Sequence, residues 1–167
     1  MSEKLGSDFR DLNVCKVFSI KEQGMNEKIL IIDHEPDIRK DLETILAKKG
    51  YQVRTASGSD EAIGFLKSES FALVITELRM PKLKGQKFIR QIKELDEDLE
   101  IIVLTGSSTI DNAIQALRHN GAFDFFTKPL ESPDQLFASI DKALNRHRKN
   151  REKSALLERL KKASREL

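Results

Sequence analysis

Five polar side chains that could bind a phosphoryl group or a metal each follow an apolar stretch of the chain. They are Asp33, His34, Glu77, Thr105 and Lys128. Carboxylates and imidazole are metal ligands, whereas a hydroxyl and an ammonium suit phosphoryl oxygens. An ion pair between Glu77 and Lys128 is the simpler structural alternative for two of them.

The stretches in front of these residues have the composition of buried parallel strands. Residues 71–76 are the clearest case, an almost continuous apolar run rich in β-branched side chains. Shorter or similar patterns predict the other strands at residues 28–33, 51–55, 99–104 and 123–126. Because the carboxyl ends of parallel strands share one edge of a sheet, we expect the polar side chains to converge there.

Apolar residues at helical spacing separate these strands. The first helix is expected to stop at Gly50 and the second to be capped by Ser59 or Asp60, while residues 79–84 are expected to form a loop. Strands that alternate with helices of about ten to fifteen residues predict an α/β fold with right-handed crossovers. The pattern therefore predicts a doubly wound, five-stranded parallel sheet with helices on both faces.

Composition narrows the class of protein. Of 167 residues, 39% are hydrophobic and 34% are charged, as expected for a soluble domain with a polar appendage. The single cysteine, Cys15, excludes an intramolecular disulfide and favours a reducing, cytoplasmic setting. No apolar run approaches the roughly 20 residues that span a bilayer, and no secretion signal is evident, so we expect no membrane association.

The last part of the chain is basic and helical. From Lys142 onward there are ten Lys or Arg and three Glu, a local charge of +7 in a chain of net charge +2, which leaves −5 for residues 1–141. A solvated helix face is favoured over contact with nucleic acid or membrane phosphates. No Gly or Pro follows Asp134, so one helix could continue to the end, with residues 145–154 exposed to solvent. The 4-3-4 spacing of four apolar residues then resembles a short coiled-coil seam: Leu156, Leu160, Ala163 and Leu167.

Four motifs, in order and at matching spacing, resemble the receiver domain of two-component response regulators. They are residues 29–36 (Ile-Leu-Ile-Ile-Asp-His-Glu-Pro), 73–81 (Leu-Val-Ile-Thr-Glu-Leu-Arg-Met-Pro), 103–106 (Val-Leu-Thr-Gly) and 121–130 (Gly-Ala-Phe-Asp-Phe-Phe-Thr-Lys-Pro-Leu). On this basis residues 1–26 form an extension of unknown role, residues 27–144 the receiver domain, and residues 145–167 a basic helical linker. The resemblance implies a flavodoxin-like fold with strand order 2-1-3-4-5.

The resemblance also implies a role for several residues. In the family, two acids after the first strand hold Mg²⁺, and an Asp that ends the third strand accepts a phosphoryl group from a histidine kinase. Carried over by position, Thr105 is the switch hydroxyl, Lys128 the cation beside the phosphoryl group and Phe125 the switch aromatic. Asp33 is the remaining acid of the metal pair, and Pro129 is expected to follow a cis peptide bond.

Two positions depart from the family pattern, and both belong to the family's phosphorylation and metal-binding site. Glu77 stands where the family has the phosphoacceptor Asp, and His34 stands where it has the second metal-binding acid. Asp33, His34 and Glu77 are therefore expected to hold Mg²⁺ weakly, because imidazole suits softer metals. A transition-metal site formed by these three residues is an alternative, although a plain hydrogen-bonding role for His34 is favoured. The longer Glu77 side chain also misplaces the attacking carboxylate, which disfavours normal phosphorylation.

These departures suggest a non-enzymatic, phosphorylation-independent receiver that is active-like and controls an attached or partner output, most often a transcriptional one. A rigid docking scaffold, a conventional receiver still phosphorylated by a histidine kinase, and an aspartyl-phosphate hydrolase that uses Asp33 and Glu35 are the alternatives. The expected partners are a histidine kinase or another signalling protein. A second copy could bind through the sheet-edge helices or the C-terminal helix, and DNA only through an output domain outside this chain.

Overall fold

A central parallel sheet organises the computed structural model, which describes residues 27–81, 83–106 and 110–166. Its strands are β1 (Lys28–Ile32), β2 (Gln52–Ala56), β3 (Leu73–Thr76), β4 (Glu100–Thr105) and β5 (Asp124–Thr127). They lie in the order β2-β1-β3-β4-β5, and every neighbouring pair is parallel. The predicted strands and strand order are therefore confirmed.

In the part of the chain that the structure describes, five helices connect or follow these strands. They are α1 (Pro36–Lys48), α2 (Ser59–Ser68), α3 (Gly85–Leu95), α4 (Ile110–Arg118) and α5 (Pro133–Arg165). None of the helices in the described ranges is both long and apolar enough to cross a membrane. The predicted alternation of strand and helix is confirmed.

The sheet is buried on both faces, as its nearly continuous apolar strands predict. Successive side chains of a strand point to opposite faces. Leu30 and Ile32 of β1 therefore join one core cluster, which contains buried residues of α2, α3 and α4. Ile29 and Ile31 join the other cluster, which is covered by α1 and the first turns of α5.

Two predictions about the loop after β3 and the start of α2 are wrong. The predicted loop at residues 79–84 contains a two-residue antiparallel hairpin, in which Arg79–Met80 pairs with Leu83–Lys84. Neither Ser59 nor Asp60 caps α2, because both lie inside its first turn and Gly58 occupies the N-cap position without a side-chain hydrogen bond. The Glu61 carboxylate instead accepts hydrogen bonds from the backbone amide and hydroxyl of Ser57, at 2.8 and 2.9 Å.

Helix α5 continues far past the sheet, as the absence of Gly and Pro predicts. Its inner side is buried against the sheet through Leu136, Ile140, Ala143 and Leu144. The predicted exposure of residues 145–154 is wrong at His147, which is buried, and at Arg148 and Asn150, which are half-buried. We call residues 149–165 of α5 the arm; all of its side chains except Asn150 are exposed. Leu167 of the predicted seam and the extension at residues 1–26 lie outside the described residues.

Candidate functional site

The strand register brings the predicted polar residues to one edge of the sheet. Ile32 of β1 pairs with Thr76 of β3, so that Asp33 and Glu77 leave adjacent strands side by side. Thr105 of β4 pairs with Thr127 of β5, directly before Lys128. The backbone amide of Lys128 also donates to the carbonyl oxygen of Thr105, at 2.9 Å. The predicted convergence at the carboxyl ends of the strands is confirmed.

The ammonium of Lys128 lies among three carboxylates. Its Nζ is 2.6 Å from Asp33 Oδ2, 3.0 Å from Glu35 Oε1 and 3.0 Å from Glu77 Oε2. Only 10% of the Lys128 side chain is exposed. Burial alone would lower the pKa of Lys128, but the hydrogen bonds to Asp33, Glu35 and Glu77 outweigh it and raise that pKa above its ordinary value. Lys128 therefore stays charged and supplies a fixed cation to the site.

The carboxylate of Glu77 is buried and is hydrogen-bonded on both oxygens. Oε1 accepts from the backbone amides of Leu78 and Arg79, at 2.8 and 3.1 Å. Oε2 accepts from the amide of Gly106, at 3.2 Å, and from Lys128. The side chain of Thr105 forms a further hydrogen bond to Glu77.

These donors keep Glu77 ionised. Burial by itself would raise the pKa of Glu77, but hydrogen bonds from the Thr105 side chain, the Arg79 amide, Lys128 and the Gly106 amide hold that pKa below its ordinary value. Glu77 is thus a permanent negative charge at the position to which the resemblance assigns the family's phosphoacceptor.

The loop after β1 separates His34 from Glu35. Asp33 Oδ1 accepts the backbone amide of Glu35, at 2.9 Å, and Arg39 Nη1 donates to the backbone oxygen of Asp33, at 2.6 Å. His34 Nδ1 is 3.7 Å from Asp33 Oδ1, and 43% of the His34 side chain is exposed. The loop geometry therefore aims Glu35 into the site and leaves His34 at its outer margin.

A possible metal-ligand group exists, but it differs from the predicted one. In the described part of the chain, oxygens of Asp33, Glu35 and Glu77 lie within 4.8 Å of one another, whereas His34 does not join them. Three carboxylate oxygens are ligands of the type that Mg²⁺ prefers, so the donor set fits a hard divalent cation. The same carboxylates already bind Lys128, and an ion would compete with the ammonium for them.

The remaining predicted residues surround this cluster. Thr105 is fully buried, and Phe125 is half-buried and packs against the core cluster beneath α2, α3 and α4. The Lys128–Pro129 peptide bond is cis, as the resemblance implies. The amides of Leu78, Arg79 and Gly106 could not be predicted as donors, because a backbone donor leaves no trace in residue type.

Comparisons with known proteins agree with this geometry. The family model described as the response regulator receiver domain matches residues 29–141. A probable transcriptional regulator, ycf27 of Porphyridium aerugineum, is 41% identical over 120 residues, which are 72% of this chain and 49% of that protein. The C4-dicarboxylate transport transcriptional regulatory protein DctD of Rhizobium meliloti is 34% identical over 120 residues, or 72% of this chain and 26% of that protein.

A solved structure is similar as well. The beryllofluoride-activated NtrC4 receiver domain dimer is 32% identical, has a TM-score of 0.68, and matches 72% of this chain and 98% of its own. The curated relatives are longer, and this chain spans about half of one and about a quarter of the other. The family model covers well over half of the chain, and the strand order is the one that the resemblance implies. The chain belongs to the response regulator receiver family and carries the receiver domain of two-component signalling.

Proposed function

We propose that this receiver works without phosphorylation and that Glu77 holds it in an active-like state. The supporting observation is the set of donors around the Glu77 carboxylate. Its Oε2 accepts hydrogen bonds from Lys128 and the Gly106 amide, and Thr105 donates as well. The resemblance assigns Thr105 and Lys128 to the oxygens of a phosphoryl group. The carboxylate therefore already engages the groups that an acyl phosphate would recruit.

The same contacts disfavour Glu77 as a nucleophile. Phosphoryl transfer requires an attacking oxygen aligned with the phosphorus, and small errors of position cost large factors in rate. Glu77 is one methylene longer than Asp, and both of its oxygens are held by donors. Attack on a phosphodonor would have to break these hydrogen bonds first.

Metal binding is proposed to be weak. Asp33, Glu35 and Glu77 would hold the ion, and bound Mg²⁺ would supply positive charge beside the phosphoryl oxygens. Lys128 already provides one positive charge to all three carboxylates. A divalent ion must displace or share this ammonium, which lowers its affinity.

The receiver is proposed to act as a non-enzymatic protein-interaction module in the cytoplasm. The two relatives described above are named as transcriptional regulators and are longer than this chain, which supports an output in transcription carried by an attached domain or a partner. A histidine kinase or another signalling protein remains the expected upstream partner. The exposed leucines of the arm and the dimeric NtrC4 receiver support a homodimer.

The test is incubation of the chain with a small acyl-phosphate donor and Mg²⁺, followed by intact-mass measurement. We expect no added phosphoryl group on the parent chain. The double variant Glu77→Asp/His34→Asp should gain one, because it restores the family's nucleophile and acid pair. Glu77→Asp alone serves as the intermediate case and reports the contribution of His34.

A phosphoryl adduct on Glu77 of the parent chain would contradict the proposal and support a conventional receiver. The ion pair between Glu77 and Lys128 at 3.0 Å favours one further candidate, a rigid docking scaffold. Glu77→Gln separates the two, since it removes the charge and keeps the shape. Loss of self-association in this variant supports the active-like state, whereas unchanged association supports the scaffold.

A further inference from the structure

A third buried carboxylate, besides Asp33 and Glu77, lies far from the site, at the opposite end of β4. Glu100 is the first residue of that strand and is 1% exposed, whereas Thr105 is its last residue. Arg146 of α5 binds both oxygens of Glu100: Nε donates to Oε1 at 2.7 Å, and Nη2 donates to Oε2. The guanidinium also lies 4.5 Å from the ring centroid of Phe123. A buried carboxylate is costly without a partner, so the burial of Glu100 depends on α5.

The next two residues of α5 are held as well. His147 is 8% exposed, and its Nδ1 lies 2.7 Å from the backbone oxygen of Asp98. Arg148 donates through Nε and Nη2 to the two oxygens of Glu27, at 2.6 and 3.1 Å. Glu27 precedes β1 and Asp98 precedes β4, so separate parts of the chain contact one turn of the helix.

These polar contacts occupy a larger part of the helix circumference than the apolar contacts of the preceding turns of α5. Consecutive helical residues project about 100° apart, so Arg146, His147 and Arg148 cover about 200° of the circumference. Leu136, Ile140 and Ala143 contact the sheet from one side only. We call the pairs formed by Arg146, His147 and Arg148 the clamp. The exposed arm begins directly after it.

We propose that the clamp fixes the direction and rotation of the arm relative to the sheet, so that the arm moves with β4 as one body. The rigid receiver unit then ends at Arg148 and does not hinge at residue 145, the predicted start of the linker. A shift of β4 at Thr105 would be passed to the arm through Glu100 and Arg146. This inference does not depend on whether Glu77 accepts a phosphoryl group.

Hydrogen exchange of the full chain, followed by mass spectrometry of peptides that cover residues 145–152, tests the clamp. Helical turns with few apolar contacts are marginal without tertiary support, so Arg146→Gln should speed exchange there about tenfold or more. Glu100→Gln should have a similar effect. The double variant should lose little more than either single one, because the two residues share one interaction.

Two matched variants complete the test. Arg146→Lys keeps the charge but loses the bidentate contact with Glu100. Its protection from exchange should therefore lie between that of the parent chain and that of Arg146→Gln. Lys149→Gln removes an exposed charge one turn further along and should leave exchange unchanged. Unchanged exchange in Arg146→Gln, or an equal increase in Lys149→Gln, would overturn the proposal.

The direction of the arm can be measured through the distance between two spin labels, one at exposed position 60 and one at exposed position 162. The labelled chain carries Cys15→Ser and is diluted with unlabelled chain. The parent should give one narrow distance distribution, and Arg146→Gln a distinctly broader one. Equally narrow distributions in both would contradict the clamp. The phosphodonor assay should give the same result for Arg146→Gln and the parent, so a failure of the clamp and a failure of the proposed function are distinguishable.

Discussion

At the scale of single residues, Lys128 balances charges that would otherwise repel one another. Asp33 and Glu77 are each 3% exposed in their side chains, and Glu35 approaches from the solvent side. Carboxylates this close repel one another strongly where water is excluded, and a cation placed among them offsets that repulsion. The ammonium therefore stabilises the folded chain in the place where a divalent ion would also be attracted.

Lys128→Met should lower the free energy of unfolding by about 3 kcal/mol at neutral pH, because it leaves buried carboxylates without their cation. Added Mg²⁺ should restore part of this loss in the variant and have little effect on the parent chain, since the oxygens become available to the ion. Urea unfolding with and without Mg²⁺ measures both effects.

Lys67→Met is the control for this prediction, because Lys67 is exposed in the last turn of α2. It should change stability by no more than a few tenths of a kcal/mol and show no Mg²⁺ dependence. If Mg²⁺ stabilised the parent chain as strongly as Lys128→Met, Lys128 would not compete with the ion.

At the scale of elements, the start of α3 packs against the backbone that holds the Glu77 carboxylate. Gly85 begins α3 against Leu78: a β-carbon at residue 85 would lie 2.8 Å from Leu78 Cα and even closer to the Leu78 carbonyl oxygen. Leu78 in turn donates its amide to Glu77 Oε1. The absence of a side chain at Gly85 therefore allows the close approach that orients the Glu77 carboxylate.

Gly85→Ala should destabilise the fold by about 2 kcal/mol, since backbone atoms of Leu78 must move to admit the methyl group. Gly64→Ala is the matched control, because nothing lies within 4 Å of its β-carbon position inside α2. That change should stabilise the chain by about 0.5–1 kcal/mol through helix propensity. Thermal or urea unfolding compares the two, and a similar effect of both changes would contradict the close approach.

At the scale of the whole molecule, the sheet could be predicted because its strands are continuous apolar runs, and the site because parallel strands end together. The sequence could not show that Glu35, and not His34, joins the carboxylates of the site. This depends on the direction in which each side chain leaves the loop after β1. The contact of Arg146 with Glu100 was missed for a related reason. An ion pair between residues 46 positions apart leaves no periodicity, and a polar run with few apolar side chains resembles a solvated face.

The arm offers a surface for self-association that the sheet does not use. Leu156 and Leu160 are 57% and 59% exposed. At 100° per residue, Leu160 lies about 160° around the helix from Ile140, which is buried against the sheet. The seam of Leu156, Leu160 and Ala163 therefore faces away from the receiver body. The packing of α5 against the sheet thus does not cover the surface that a second copy would bind. Lys153 continues the seam toward the clamp, and in the proposed homodimer like charges at this position would confine pairing to the last turns.

Leu160→Lys should convert a dimer of the full chain into a monomer in sedimentation velocity, because it places a charge in the centre of the seam. Leu157→Lys is the matched control: Leu157 is 46% exposed but projects about 100° from Leu156, beside the seam, and its replacement should weaken the dimer far less. Higher salt should strengthen the parent dimer, since it screens Lys153 from its counterpart. A monomeric parent chain would contradict the proposed homodimer, and equal losses in both variants would place dimerisation elsewhere than on this seam.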